Sequence, residues 1–175
     1  IISFSPKGDE SIHKLPEIND CLEKRGPDHS GHFFEKGVAL GHRRLAIIDT
    51  SDAGNQPMSD HTGRYTIVFN GEFFNFKEHR TVLEGQGYPF KTKTDTEVLL
   101  ALYAKEGPAC LNKINGFFAF AIYDKSDETI FIARDRYGIK PLYIYSDQDK
   151  LIFASEMKSL IKAGIPKKPD QNSIA

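Results

Sequence analysis

Asn115-Gly-Phe-Phe-Ala-Phe-Ala-Ile-Tyr-Asp124 is the stretch on which the reading of this chain turns. From Phe117 to Tyr123 every side chain is apolar or aromatic. The run is far short of the about 20 residues that a membrane-spanning helix needs. It reads as a strand, and since successive strand side chains point to opposite faces, both faces must be covered. Three further strand-like runs follow with short polar connections: Thr129 to Ala133, Leu142 to Tyr145 and Leu151 to Ala154. A short helix is expected from Ser155 to Ala163. Gly164-Ile-Pro-Lys-Lys-Pro-Asp170 then has linker composition.

Upstream of the decisive strand the period changes. Thr94 to Glu106 is expected to be helical, with Val98, Leu99, Leu102 and Tyr103 as its apolar face and Thr94 with Glu97 as a capping box. Phe76 to Glu84 reads as a second helix, ended by Gly85 and Gly87. Tyr65 to Phe69 and Glu72 to Phe74 read as strands around Asn70-Gly71, and Thr50 to Gly63 as loop. Val38 to Ile48 is one long apolar-rich run interrupted by Gly41-His-Arg-Arg44. Ile12, Leu15, Ile18 and Leu22 form a helical stripe from Ser11 to Arg25, stopped by Gly26-Pro27. Pro6 to Asp9 reads as loop, and Ile1 to Phe4 as a strand whose beginning lies upstream. Strands in both halves, with helices at 11–25 and 76–106, suggest two sheets packed together with helices outside. The class is α+β.

The 175 residues suit one large domain or two small ones, and no internal repeat is visible. With 39% hydrophobic and 27% charged residues, the composition excludes disordered and collagen-like classes. Twenty-three basic against 24 acidic residues leave a net charge of −1, so there is no basic field to attract nucleic acid and no charge block. No membrane segment and no signal peptide are read, and cytoplasm is the expected compartment. Two cysteines, Cys21 and Cys110, make no disulfide framework and read as small buried hydrophobes.

Several residues could carry chemistry. Asn70-Gly71 is a hairpin signal, because both residues tolerate positive φ. An asparagine amide beside a glycine N–H also offers two donors to an oxyanion. Asp95 suits a helix N-terminus, but with Thr94 and Glu97 occupied as caps its carboxylate is left to hold a ligand ammonium. Arg43 and Arg44 must point to opposite faces. The inward one needs an anion, from the protein or from a ligand. His29, His32 and His42 match no compact metal-ligand spacing, and Arg134-Asp-Arg-Tyr-Gly-Ile-Lys-Pro141 reads as charge pairing and a turn at Gly138 rather than a phosphate loop.

Taken together, Arg25-Gly-Pro-Asp, Gly41-His-Arg-Arg-Leu-Ala-Ile-Ile-Asp, Asn70-Gly-Glu-Phe-Phe-Asn, Thr94-Asp-Thr-Glu, the Asn115–Asp124 strand, Ala133-Arg-Asp-Arg-Tyr-Gly-Ile-Lys-Pro-Leu-Tyr and Phe153-Ala-Ser-Glu-Met-Lys resemble one family. It is the class II glutamine amidotransferase domain of glutamine-hydrolysing asparagine synthetases. The motifs run in order from Ile1 to about Leu160. The resemblance implies an N-terminal-nucleophile hydrolase fold, a four-layer αββα sandwich of two mainly antiparallel sheets. Residues 1–163 would form the glutaminase domain and 164–175 a linker toward a synthetase domain.

The implied reaction is hydrolysis of the glutamine side-chain amide to glutamate and ammonia. Ammonia would pass to an ATP-using domain that activates a carboxylate, aspartate in the asparagine synthetases. No cofactor is expected here; ATP and magnesium belong to that second domain. Arg44 would grip the glutamine α-carboxylate, Asp95 the α-ammonium, and Glu72 would help hold the amine. Asn70 and Gly71 would form the oxyanion hole, and the backbone from Leu45 to Ile48 would line the pocket. The family nucleophile is an N-terminal cysteine followed by Gly-Ile, whose own α-amine is the base; the resemblance places it a few residues ahead of Ile1. Cys21 and Cys110 have no free α-amine and cannot replace it. Two rivals stay open: an amidotransferase with a sugar, peptide or other carboxylate as acceptor, and an inactive glutamine-binding module. Assembly as a homodimer is open as well.

Overall fold

In the computed structural model, which describes residues 1–167, nine strands and five helices follow one another. They are β1 (Ile2–Ser3), α1 (Pro6–Ile12), α2 (Leu15–Asp20), β2 (His29–Glu35), β3 (Val38–Arg44), β4 (Met58–Ser59), β5 (Tyr65–Phe73), α3 (Phe76–Gly85), α4 (Asp95–Glu106), β6 (Gly116–Asp124), β7 (Thr129–Arg134), β8 (Tyr143–Ser146), β9 (Lys150–Ala154) and α5 (Met157–Lys162). One sheet has the order β2-β3-β1-β9-β8, the other β4-β5-β6-β7, and every pairing is antiparallel.

The decisive strand is covered twice, as its composition requires. Phe118, Phe120 and Ile122 of β6 pack with Val98, Leu99 and Leu102 of α4. Their alternates Ala121 and Tyr123 meet Val38 and Leu40 of the other sheet. A third cluster, including Ile12, Leu15, Ile18, Ala39 and Ile152, seats α1, α2 and α5 on the outer face of the first sheet. Three apolar layers between four layers of structure make the αββα sandwich. Each fully buried large side chain contributes about 1.5–3 kcal/mol.

Four local expectations need correction. The helix from Ser11 to Arg25 is two helices and a 3₁₀ turn at Glu23–Arg25, because Pro16 has no N–H and forces a restart at the first turn of α2. Its stripe survives the break: Ile12, Leu15 and Ile18 are all buried. Pro6 to Asp9 is helix rather than loop, with Ser5 as N-cap and proline in the first turn. The Val38–Ile48 run ends as a strand at Arg44, leaving Leu45, Ile47 and Ile48 exposed. Asn70-Gly71 is not a turn; it lies inside the continuous strand β5, paired with Ala119 and Phe118, and neither residue adopts a positive φ.

The linker reading of 164–175 falls largely outside the described residues. Within them, Ile165 still packs against the outer-face cluster. Cys110 is buried as expected, with burial pushing its thiol up to about 11. Cys21 is only half-buried.

β1 fills just one end of the space between β3 and β9. Ile2 pairs with Val38 and Leu151, and Ile1 exchanges backbone hydrogen bonds with Ala39 at 2.8 and 2.9 Å. Beyond that point Gly41 to Arg44 face Ile152 to Ser155 across a cavity.

Candidate functional site

That cavity, about 480 Å³, runs between the two sheets and through the gap beside β1. Arg44, Leu45, Ile48, Asn70, Gly71, Glu72 and Asp95, the seven residues singled out from the sequence, all line it. They arrive from three elements: the end of β3 with its following loop, the second half of β5, and the first turn of α4.

Alternation along β3 decides which arginine enters. Gly41 and Arg43 face the helices, where Arg43 pairs with Asp20 at 3.6 Å and Glu23 at 3.5 Å. His42 and Arg44 face the other sheet. The Arg44 guanidinium is buried and organises the loop after β3: one terminal nitrogen donates to Ser51 O at 2.8 Å and Asn55 Oδ1 at 2.9 Å, the other to Ile48 O at 3.3 Å and to Asp49 O. All four acceptors are neutral. The Asp49 carboxylate turns away to Ser51 Oγ and Lys93 N–H, and the Ser51 hydroxyl, the larger influence, holds it below the usual range. Among the described residues Arg44 therefore has no carboxylate partner. The fork expected to close on a ligand carboxylate is held by loop carbonyls and the Asn55 amide oxygen; the Asp49 carboxylate feels its charge without forming an ion pair with it.

Asp95 is the mirror case. It is 6% exposed, accepts a hydrogen bond from Phe73 N–H at 3.0 Å, and has no basic side chain within ion-pairing distance among the described residues. Burial raises its pKa, and the nearby Glu72 charge adds to the rise. The expected capping box is only half formed. Thr94 Oγ1 accepts from Glu97 N–H at 3.2 Å, but the Glu97 carboxylate reaches Lys91 and Thr92 N–H at 2.8 and 2.6 Å instead of the cap. Glu72 stands exposed at the cavity mouth.

The outer edge of β5 explains what surrounds Gly71. Residues 67, 69, 71 and 73 turn their backbone groups away from β6. Ile67 lies opposite Met58, the first residue of β4, so strand pairing on this edge stops there. At Phe69 side chains take over: N–H donates to Gln56 Oε1 at 2.6 Å, and the carbonyl meets His42 Nε2 at 3.2 Å. At Phe73 the acceptor is Asp95. Between them Gly71 N–H has no partner among the described residues, and Gly71 lines the cavity. Glycine is required there by close approach. A Cβ would collide with Phe117 O and come within 2.8 Å of Phe118 Cα, both on the rigid backbone of β6. The Asn70 amide lies on the inter-sheet face, 3.5 Å from Ser155 Oγ.

His42, Gln56 and Ser155 line the cavity without having been expected to. For His42 the signal was present, since it sits two residues before Arg44 and shares its face; Gln56 and Ser155 lie in irregular backbone, where no period points inward. The His42 ring is held neutral, its pKa lowered to about 4, chiefly by burial. Among the described residues no three His, Cys, Asp or Glu side chains are placed to share a metal. A buried cation and a buried anion, each without an ion-pair partner among the described residues, suit a zwitterionic head group, and the Gly71 N–H with the Asn70 amide suits a polarised carbonyl.

The glutamine amidotransferase domain family matches residues 1–175. Asparagine synthetase (glutamine-hydrolysing) 1 of Bacillus subtilis is 46% identical over 149 residues, which is 85% of this chain and 23% of that protein. The amidase chry2 of Gibberella zeae is 38% identical over 88% of this chain and 23% of its own length. Among solved structures, glutamine phosphoribosylpyrophosphate amidotransferase from B. subtilis superposes with a TM-score of 0.61 at 30% identity, covering 72% of this chain and 29% of that one. The chain spans about a quarter of the length of the curated relatives it matches.

Proposed function

Because this chain belongs to the glutamine amidotransferase domain family, we propose that its cavity binds L-glutamine by the two charges of its amino-acid head and directs the side-chain amide to hydrolysis. The observation that carries this reading is the pair of buried charged side chains, Arg44 and Asp95, that line one cavity without an ion-pair partner among the described residues. A lone buried charge is costly; a ligand that supplies both opposite charges at once removes both penalties. Arg44 attracts the α-carboxylate, Asp95 accepts from the α-ammonium, and Glu72 adds negative charge on the same side.

The amide carbon then lies against Asn70 and Gly71. In this reading the nucleophile is the cysteine that the family resemblance implies a few residues ahead of Ile1. β1 runs antiparallel to β3, so a strand continued ahead of Ile1 would run along Gly41 to Arg44 into the cavity. Its thiol gives its proton to the α-amine and adds to the amide carbon. Carbonyl oxygen charge is met by Gly71 N–H and the Asn70 amide. The C–N bond breaks as the proton passes to the leaving nitrogen, ammonia departs, and water hydrolyses the thioester to glutamate. Loss of one such donor typically costs about 2.7–4 kcal/mol of transition-state stabilisation.

Ammonia is consumed by a further domain of the longer protein that activates a carboxylate with ATP and magnesium. Aspartate is the acceptor favoured by the similarity to asparagine synthetases; the fungal relative, an amidase by name, marks a different acceptor as the second reading. The test is ammonia release from glutamine by the full-length protein, wild type against Asp95→Asn. That substitution keeps the size of the side chain and removes its charge. A charge-assisted hydrogen bond is worth about 1.5–3 kcal/mol, so the glutamine KM should rise about 10-fold to 100-fold while kcat changes far less. An unchanged KM removes Asp95 from the site. Aspartate-dependent ATP cleavage, compared with other acceptors, decides between the two readings.

A further inference from the structure

The side chains at the edge of β5 have a function that the binding of glutamine does not use. We propose that His42, with Gln56, is a positioning residue that clamps the Phe69 peptide groups and so aims the Gly71 N–H of the oxyanion hole. The inference rests on the glutaminase reading above, and it concerns how that site holds its shape.

β4 begins at Met58, opposite Ile67, so among the described residues no strand continues the ladder beside residues 69 to 73 of β5. Three side chains replace the missing strand. Gln56 Oε1 accepts from Phe69 N–H at 2.6 Å, His42 Nε2 lies 3.2 Å from Phe69 O, and Asp95 Oδ2 accepts from Phe73 N–H at 3.0 Å. Gly71 sits midway between these fixed points, and having no side chain it cannot lock its own backbone. The direction of its N–H is therefore set by Phe69 on one side and Phe73 on the other, with β6 behind.

The chemistry of the His42 contact has one solution. A carbonyl oxygen only accepts, so Nε2 carries the hydrogen and donates. Nδ1 is then a bare acceptor; it is buried and makes no hydrogen bond among the described residues. A leucine would serve the surrounding apolar layer of Leu40, Val68 and Ala121 without that unpaired atom. The histidine is explained by its donor, directed at the backbone one residue before Asn70. Gln56 is anchored in turn, its Nε2 donating to Thr96 Oγ1 at 3.3 Å in the first turn of α4, which also carries Asp95. The clamp thus ties β3, β5 and α4 together at the oxyanion hole.

Misplacement of a donor by about 1 Å can cost 100-fold in rate. His42→Leu in the full-length protein should lower kcat for glutamine hydrolysis about 10-fold to 100-fold with KM changed less than about 3-fold, since Arg44 and Asp95 are untouched. His42→Gln, which restores an N–H donor, should recover most of the loss. The amide signal of ¹⁵N-glycine-labelled Gly71 should move in the leucine variant and return in the glutamine variant. Unchanged kcat in His42→Leu overturns the clamp. So does a loss shared equally by both variants, or one in which KM and melting temperature shift with kcat, since these mark a role in packing alone. If the wild type hydrolyses no glutamine, the proposed function fails, and the Gly71 signal still decides: no displacement in His42→Leu overturns the clamp on its own.

Discussion

At Asp95 a single atom pair separates a structural carboxylate from a functional one. Its hydrogen bond to Phe73 N–H uses one lone pair of Oδ2, while burial raises the pKa and among the described residues no cation pairs with it. A ligand ammonium favours the charged form, so glutamine binding and deprotonation of Asp95 are linked. The sign follows: as pH falls through the raised pKa the carboxylate is neutralised and KM for glutamine climbs, beginning at a higher pH than for an ordinary aspartate. In Asp95→Asn that climb should vanish, and KM measured between pH 7 and pH 5 checks it. Gly71→Ala belongs to the same scale. Its methyl would meet Phe117 O and Phe118 Cα, so β5 and β6 must part at the proposed oxyanion hole; both the melting temperature and kcat should fall. All seven residues singled out from the sequence line one cavity, but for Gly71 the physical reason was not legible there. A hairpin needs glycine for positive φ, whereas here it is needed for contact between two strands, a relation that exists only once β6 is in place.

Elements were legible wherever burial alone dictates them. β6 and α4 lie within a residue or two of their expected limits because their apolar runs are long and uninterrupted, and α3 because Gly85 and Gly87 stop it. The misreadings arise where local backbone chemistry overrules the apolar pattern. Pro16 divides a helical stripe whose apolar face nevertheless stays continuous against Ile152 and Ala39. Arg44 ends β3 by gathering the carbonyls of the next loop around its guanidinium. The loop after β7 is a further case, read from sequence as charge pairing. Its Arg134 instead donates to Gly138 O and Lys140 O, both at 2.6 Å. Asp135 accepts from the N–H groups of Phe118, Tyr137, Ile139 and Lys140 at 3.2, 3.1, 2.9 and 3.0 Å. Asp135→Ala strips these donors of their acceptor. Leaving a buried donor unpaired costs about 1–3 kcal/mol, and about 1 kcal/mol moves the melting temperature of a domain this size by about 2–4 °C. A loss of about 5–10 °C by calorimetry is expected; no loss would mean that water serves the loop equally well.

Over the whole molecule, stability and the site share one buried ring. His42 stands between the sheets, and its pKa in the folded protein is lowered from 6.5 to about 4, first by burial, then by the charges of Arg44 and His29, while the Phe69 carbonyl works the other way. The unfolded chain accepts a proton near pH 6.5 that the folded protein refuses until about pH 4. Stability from this group is therefore complete above pH 6.5 and declines as pH falls toward 4. With about 1.36 kcal/mol per pKa unit, the decline between pH 7.5 and pH 5 is roughly 2 kcal/mol. Asp124 lies outside that window. Arg64, its hydrogen-bonding partner, holds its pKa below the ordinary value, so its contribution is lost only at more acidic pH. Urea unfolding of wild type and His42→Gln at the two pH values isolates the ring: the wild type should lose the larger share of its stability on acidification, and the variant should lack that share. Parallel slopes would mean that His42 takes up its proton in the folded state, through the cavity it borders. The interior would then admit water as far as Phe69, and the same water would compete for the Gly71 N–H.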